Sequence, residues 1–287
     1  MGLMFAVIAS LNFVILDVLR KILGQRLDAT RVVIGINLGA AVVLAAVLGV
    51  EGIPSFDRTF VLLSLGESVL FALTSLLYVR AVSLSPLSLT IPYLGFSPLV
   101  AALVALLLLA EVPSMRGWAG IFCVVTGAVL LHRRQGTPLA ELLAAPFREP
   151  GSWRMLLVAA LWGGATSIDK IAIAHGSEAL LGFVMSALSS VMLLALRLGR
   201  RRGHRPAPAE AERTALLLVL AAFVAGIAVL AQFYAYQELF VAYVEAVKRA
   251  GGILSALIGV IFFHEGGLAH RIPAACLIFA GMLLLIL

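Results

Sequence analysis

The residues best suited to chemistry in this 287-residue chain stand where charge is expensive, inside long apolar stretches. In the stretch from 240 to 263, Glu245, Lys248, Arg249, Gly252, Ser255 and Gly259 recur at spacings of three and four. On a helix such spacings form one polar, small-residue stripe. Lys248 lies about eight residues inside the stretch, roughly 12 Å at 1.5 Å per residue. An ionisable side chain at that depth costs a few kcal/mol, which makes it a functional candidate. Two readings are open: a self-neutralised pair of Glu245 with Lys248 or Arg249 that locks this helix against a neighbour, or a cation that faces a cavity and binds an anionic or carboxylate-bearing substrate. The second is favoured, because two cations stand beside one acid.

Three more carboxylates fall inside apolar stretches. Glu67 has Leu63, Ser64, Leu70 and Phe71 at three and four residues either side, so it finds no cation on its own helix. It pairs across helices or stays protonated, and a carboxyl that exchanges between those states suits proton coupling. Asp17 and Asp169 are further coupling or ion-pair candidates. Arg20 and Lys21 follow Asp17 by three and four residues, which suggests a snorkelling interfacial pair. Among the aromatics, Trp162 and Tyr93 lie deep and beside glycine or proline, and are expected to contact a substrate. Tyr78 and Tyr243 lie near the ends of their stretches, where interfacial belts collect tyrosine anyway.

Other chemistries have no constellation to support them. Cys123 and Cys276 lack ligand-like neighbours, and His264 beside Glu265 has no second histidine at metal-binding spacing. No metal or cofactor is expected. The chain has no G-x-x-x-x-G-K-[ST] loop for nucleotide phosphates, and no nucleophile–base set that marks an enzyme.

The elements that must position these side chains follow from composition. Hydrophobic residues make up 62% of the chain and charged residues 13%, against nearer half and a quarter in soluble domains; mean hydropathy is +1.09. Apolar runs of about twenty residues, the length that crosses a 30 Å hydrocarbon core, recur from end to end. In lipid every backbone polar group must be satisfied within the segment, so the runs are read as helices. Ten spans are expected near 2–22, 30–50, 59–79, 86–109, 115–132, 153–173, 178–197, 214–236, 240–263 and 267–287. The net charge of +6 is a matter of topology, not of a nucleic-acid groove. Arg20, Lys21, Arg26 and Arg31 fall between the first two spans, and a further basic set, from Arg197 to Arg213, between the seventh and eighth. The even-numbered connections hold only Arg58 and Arg116. Basic loops stay cytoplasmic, so both termini are expected outside, in a multi-pass protein of a bacterial cytoplasmic membrane.

The sequence also repeats itself. At an offset of 154, Glu111 falls on Glu265 and Gly127 on Gly281; at 152, Asp17 falls on Asp169. Residues 1–132 and 153–287 then form two five-helix repeats joined by a linker at 133–152. Five spans is an odd number, so the second repeat is inverted relative to the first, an arrangement whose sites lie near the midplane at interrupted helices. Pro92 and Pro98 in the fourth span, and Gly251 and Gly252 in the ninth, are candidate breaks; glycine that permits close helix packing is the competing explanation.

The run AYVEAVKRAGGILSALIGVIFFHEG at 242–266, the Trp162–Gly163 pair and the acidic turns at Glu111 and Glu265 resemble the ten-helix EamA-type family of the drug/metabolite transporter superfamily. The first half carries Ser10–Leu11–Asn12 where the matching Trp–Gly is expected. The resemblance covers essentially the whole chain. It implies an all-α integral membrane fold of ten transmembrane helices, built as two inverted five-helix repeats around a central cavity. It also implies a secondary active transporter that moves a small polar metabolite by alternating access, with the bilayer and a small-molecule substrate as partners and protons as a candidate coupling ion. Monomer and homodimer are equally open. A flippase for a lipid-linked sugar or phosphate and a non-transporting membrane scaffold are the alternatives.

Overall fold

The computed structural model describes residues 1–130, 149–198, 208–262 and 272–286, and all regular structure among them is helical. The expectations for Glu265, His264 and most of the 133–152 and 199–213 connections lie outside the described residues. The first half contains α1 (Gly2–Arg26), α2 (Ala29–Glu51), α3 (Arg58–Leu84), α4 (Leu87–Thr90), α5 (Ser97–Leu108) and α6 (Met115–Leu130). The second contains α7 (Pro150–Ala174), α8 (Glu178–Leu198), α9 (Pro208–Glu238), α10 (Val241–Phe262) and α11 (Ile272–Ile286). Helices α1, α2, α3, α7, α8 and α9 are each long and apolar enough to cross a membrane. Helix α10 is 22 residues long, but Glu245, Lys248 and Arg249 interrupt its apolar character.

Short polar caps set the helix starts. Asp28 accepts from the Thr30 N–H at 2.9 Å and Asp57 from the Phe60 N–H at 2.9 Å. Glu149 accepts from the Gly151 and Ser152 N–H groups, both at 3.0 Å. Each satisfies amide donors that the first turn leaves open. The Glu149 cap starts α7 at Pro150, ahead of the expected 153, with proline in the first turn, where its missing N–H costs nothing.

The fourth span is where the backbone departs from a plain helix. After one turn of α4 the chain tightens into a 3₁₀ segment, Ile91–Phe96, before α5 resumes with Pro98 in its first turn. No corresponding break occurs in the ninth span: α10 runs through Gly251 and Gly252 without interruption. The expectation of a break there is corrected, and the reason is packing. A Cβ on Gly251 would drive into the Ser10 hydroxyl and stand 3.2 Å from the Ser10 carbonyl oxygen. The missing side chain lets α10 cross α1 at backbone range, as small residues do at helix crossings in lipid.

Packing pairs elements from opposite halves. Helix α1 packs on α9 and α10, as α7 packs on α3 and α5; α2 packs on α9, as α8 packs on α3. Helix α2 meets α8, α5 meets α10 and α6 meets α11. Each of these pairings has its counterpart with the halves exchanged. The largest buried cluster accordingly draws Ala6, Phe60 and Ile121 from the first half and Ile173, Phe233 and Ile278 from the second. On α3, Leu62, Leu65, Val69 and Leu73 are exposed, while Ser64, Glu67, Thr74 and Tyr78 are buried. An outward apolar face and an inward polar one suit a helix solvated by lipid.

Candidate functional site

The inward faces of α1, α3, α7, α9 and α10 enclose a central cavity of about 100 Å³, measured as the space open to the centre of a water-sized sphere. Most of its wall is apolar, from side chains such as Phe13, Leu70, Phe71 and Val229. Its polar content comes from Asp17, Arg20, Glu67, Asp169, Glu245, Lys248 and Arg249, four carboxyl groups to three cations.

Helix α10 contributes the most strongly bonded group. The stripe anticipated from spacing does turn inward: Glu245, Lys248 and Ser255 are all buried. Glu245 has no exposed surface and accepts from four donors. Lys248 is one; Arg249 Nη2 lies at 2.5 Å, Ser97 Oγ at 2.8 Å and Tyr236 Oη at 3.2 Å. Lys248 also donates to Gln232 Oε1 at 2.5 Å and sits 4.8 Å from the centre of the Phe13 ring. Arg249 Nε donates to Ser97 Oγ at 2.8 Å. Lys248 and Arg249 both line the cavity, as the favoured reading expects of a substrate-facing cation, and both are also bonded to Glu245, as the alternative expects. Both cations are bound to Glu245, and the start of α5 brings Ser97 and α9 brings Gln232 and Tyr236 to complete the cluster. A buried charge persists only with such partners.

Asp17 is likewise more deeply committed than its neighbours suggested. It accepts from Tyr78 Oη at 2.5 Å and from Ser255 Oγ at 2.8 Å. The Arg20 guanidinium lies over the Tyr78 ring, 4.7 Å from its centre, and Lys21 reaches the Ser85 carbonyl at 2.7 Å. Asp17 is 6% exposed, so it is an interior hydrogen-bond hub, not a snorkelling interfacial residue. Arg20, three residues on, does act on it electrostatically, but Tyr78 and Ser255 lie beyond the reach of helical spacing; Ser255 is 238 residues away.

Trp162 lines the cavity, donates its indole N–H to Thr74 Oγ1 at 2.9 Å, and stacks on Tyr78 with ring centres 5.3 Å apart. Tyr93 does not line it. Its ring is buried with Tyr78, Leu87 and Met155 in the cluster that backs this part of the cavity wall. The 3₁₀ turn presents Ile91, Leu94 and Gly95 to the cavity instead. Tyr78, read from the sequence as a belt residue, belongs to the site. A signal was present, since Glu67, Leu70, Phe71, Thr74 and Tyr78 repeat at three and four and share one face of α3.

Two carboxylates differ from the rest. Asp169 is 5% exposed and its Oδ1 is buried without a hydrogen-bond partner. Glu67, 3% exposed, makes no hydrogen bond among the described residues. Both line the cavity, from the packed helices α3 and α7. Asp169 lies within electrostatic range of Glu67, Lys248 and Glu245. Lys170, next in sequence, points elsewhere and pairs with Glu111 at 2.6 Å while donating to the Leu239 carbonyl at 2.9 Å. Glu111 also accepts from the Val241 N–H at 3.0 Å. Its partner is thus α7, not the Arg116 nearby in sequence.

The sequence matches the EamA-like transporter family over residues 1–133 and 150–287. None of the curated proteins matches it. A solved structure described only as "Crystal structure of protein" superimposes with a TM-score of 0.70 at 17% identity, over 99% of this chain and 95% of that one. At that identity the likeness speaks for the fold alone. A helical fold with six helices long and apolar enough to cross a membrane, a cavity walled by both halves, and a family match over nearly the whole length agree with one another: the chain is a multi-pass membrane protein of the EamA-like transporter family.

Proposed function

We propose that this protein is a secondary active transporter that moves a small polar metabolite across the cytoplasmic membrane by alternating access about the central cavity. Its fold would be ten spans in two inverted five-helix repeats. The observation that carries the reading is the cavity itself, enclosed by both halves and furnished with ionisable groups that an inert scaffold has no need to bury. The exchange-symmetric packing supports the inverted repeat. Lys21 on α1 bonds the Ser85 carbonyl at the end of α3, and Lys170 on α7 bonds the Leu239 carbonyl at the end of α9. Ser85 and Leu239 are related by the same 154-residue offset found in the sequence. The donor lysines are 149 residues apart, within one helical turn of the 152-residue register of α1 and α7, so similar tethers stand at two equivalent turns; an inverted unit places them at opposite membrane faces. Rocking of one repeat against the other would expose the cavity to each side in turn. Protons are the proposed coupling ion, with Glu67 and Asp169 as the exchangeable carboxyls.

The test is twofold. Purified protein is screened for thermal stabilisation by amino acids, nucleosides, organic cations and organic anions; a ligand at a hundred times its Kd adds about 2.7 kcal/mol. Each hit is then followed as a radiolabelled solute into proteoliposomes, with and without a pH gradient. Uptake that exceeds the protein-free control supports the reading. Stabilisation without uptake in either gradient direction refutes it, and uptake indifferent to the gradient refutes the proton coupling.

A further inference from the structure

We propose that Glu67 and Asp169 form a cation subsite in the cavity wall that binds an ammonium group carried by the cargo. The inference deepens the transporter reading and rests on it. Every other charged side chain in the cavity has company within the chain. Glu245 is surrounded by four donors, Asp17 by Tyr78 and Ser255, and Lys248 and Arg249 by Glu245. Arg20 has the Tyr78 ring and the Asp17 charge, with its Nη1 buried without a hydrogen-bond partner. Asp169 has an oxygen sealed from solvent and unbonded, and Glu67 has no hydrogen bond among the described residues.

A buried carboxyl without partners is costly, and two of them in electrostatic contact are costlier still. Lys248 is near enough to Asp169 to attract it, but its ammonium is already bonded to Glu245 and Gln232. What the pair lacks is a donor with positive charge. An alkylammonium supplies both, with three N–H groups to distribute over carboxylate oxygens. The surroundings favour an organic cation over a hydrated metal ion. Phe71 lies one helical turn from Glu67, and Trp162 two turns from Asp169 on the same face of α7; both line the cavity. Aromatic faces and apolar walls attract a cation that carries a hydrocarbon body.

The test uses the full chain with Trp118→Phe and Trp153→Phe, so that Trp162 is the sole tryptophan and reports from the cavity. The protein in detergent at pH 8 is titrated with n-butylammonium, with butan-1-ol as the uncharged counterpart and with sodium chloride. Saturable change in Trp162 emission is expected for butylammonium alone. Its Kd is expected to rise at least tenfold in Asp169→Asn and in Glu67→Gln, each checked for an unchanged elution profile; if one fails to fold, the other carries the comparison. Equal responses to the amine and the alcohol overturn the proposal. So does an unchanged Kd in the folded variants. A saturable sodium response stronger than the amine's overturns it in favour of an inorganic cation. The outcome separates from the transport reading: uptake of a metabolite without amine binding leaves the transporter standing and removes the subsite, whereas amine binding without any uptake does the reverse.

Discussion

Replacing Glu245 with glutamine removes one negative charge from the most heavily bonded group in the molecule. The side chain is fully buried and holds Lys248, Arg249, Ser97 and Tyr236. Glutamine keeps the shape, but its amide nitrogen cannot accept from a guanidinium or an ammonium. Lys248 retains Gln232 and Arg249 retains Ser97, both neutral. Two buried cations are left beside each other without their bonded counter-ion, with only the longer-range charges of Asp169 on Lys248 and Asp17 on Arg249 remaining. Breaking a buried pair in this way costs about 3–5 kcal/mol, or roughly a hundred- to several-thousand-fold in the folding equilibrium at 1.4 kcal/mol per decade. Lys248→Met is the informative comparison. It leaves Glu245 paired with Arg249 and bonded to Ser97 and Tyr236, and takes from Asp169 only the unbonded attraction of Lys248; the expected cost is under about 2 kcal/mol. The double variant should be more stable than Glu245→Gln alone, since it removes one of the two stranded cations. Reversible unfolding by sodium dodecyl sulfate in mixed micelles, followed by circular dichroism, gives the three values. If Lys248→Met destabilises as much as Glu245→Gln, or the double variant is worse than either, Glu245 is not the neutralising centre and the account of this cluster is wrong.

Four further outcomes are expected. Gly163→Ala should cost about 1–3 kcal/mol, because its Cβ would stand 2.6 Å from the Ser97 carbonyl oxygen and 3.2 Å from the Ala101 nitrogen, backbone atoms that cannot swing aside; Gly164→Ala, with nothing within 4 Å, should lie within about 1 kcal/mol of the parent, and equal effects in the same assay would refute the close crossing. Tyr78→Phe should cost about 1–3 kcal/mol by leaving Asp17 with Ser255 alone, whereas a neutral result would mean that the Asp17 hub is not stabilising. The Phe60 N–H, and then His175, hold the Asp57 carboxyl below its ordinary range, so its contribution is present above the unfolded value of about 3.9 and lost as pH falls through the folded value; Asp57→Ala should lower the thermal midpoint at pH 7 and close the gap towards pH 2, and a gap of constant size would contradict the assignment. A single cysteine at position 205, in a chain with Cys123 and Cys276 replaced, should be shielded from an impermeant thiol reagent in intact cells; labelling would reverse the orientation expected from the basic loops.

Local physics made the helices legible from sequence. A lipid solvent requires every segment to bond its own backbone, so the apolar run length places α1, α2, α7 and α8 to within four residues, while α3 ends five residues later and α9 starts six residues earlier than expected. The inward stripe on α10 was legible for a related reason, since the 3.6-residue period puts Glu245, Lys248 and Ser255 on one face whatever that face touches. Which charge answers which was not legible. Glu245 finds Ser97 on another segment, Asp17 finds Ser255 and Lys170 finds Glu111, and no helical spacing links residues on different helices. Near neighbours showed only part of each set: Arg20 does act on Asp17, and Lys248 and Arg249 do meet Glu245, but Tyr78, Ser255, Ser97 and Tyr236 come from other segments. Breaks followed the same division. Proline lacks an N–H in any context, so the irregular fourth span was visible in advance, but Gly251 can loosen a helix or admit a neighbour, and only the approach of Ser10 on α1 decided for the second. The helices are a matter of each segment against lipid and are written segment by segment. The site is a matter of segment against segment, and its polar partners were decided by tertiary packing.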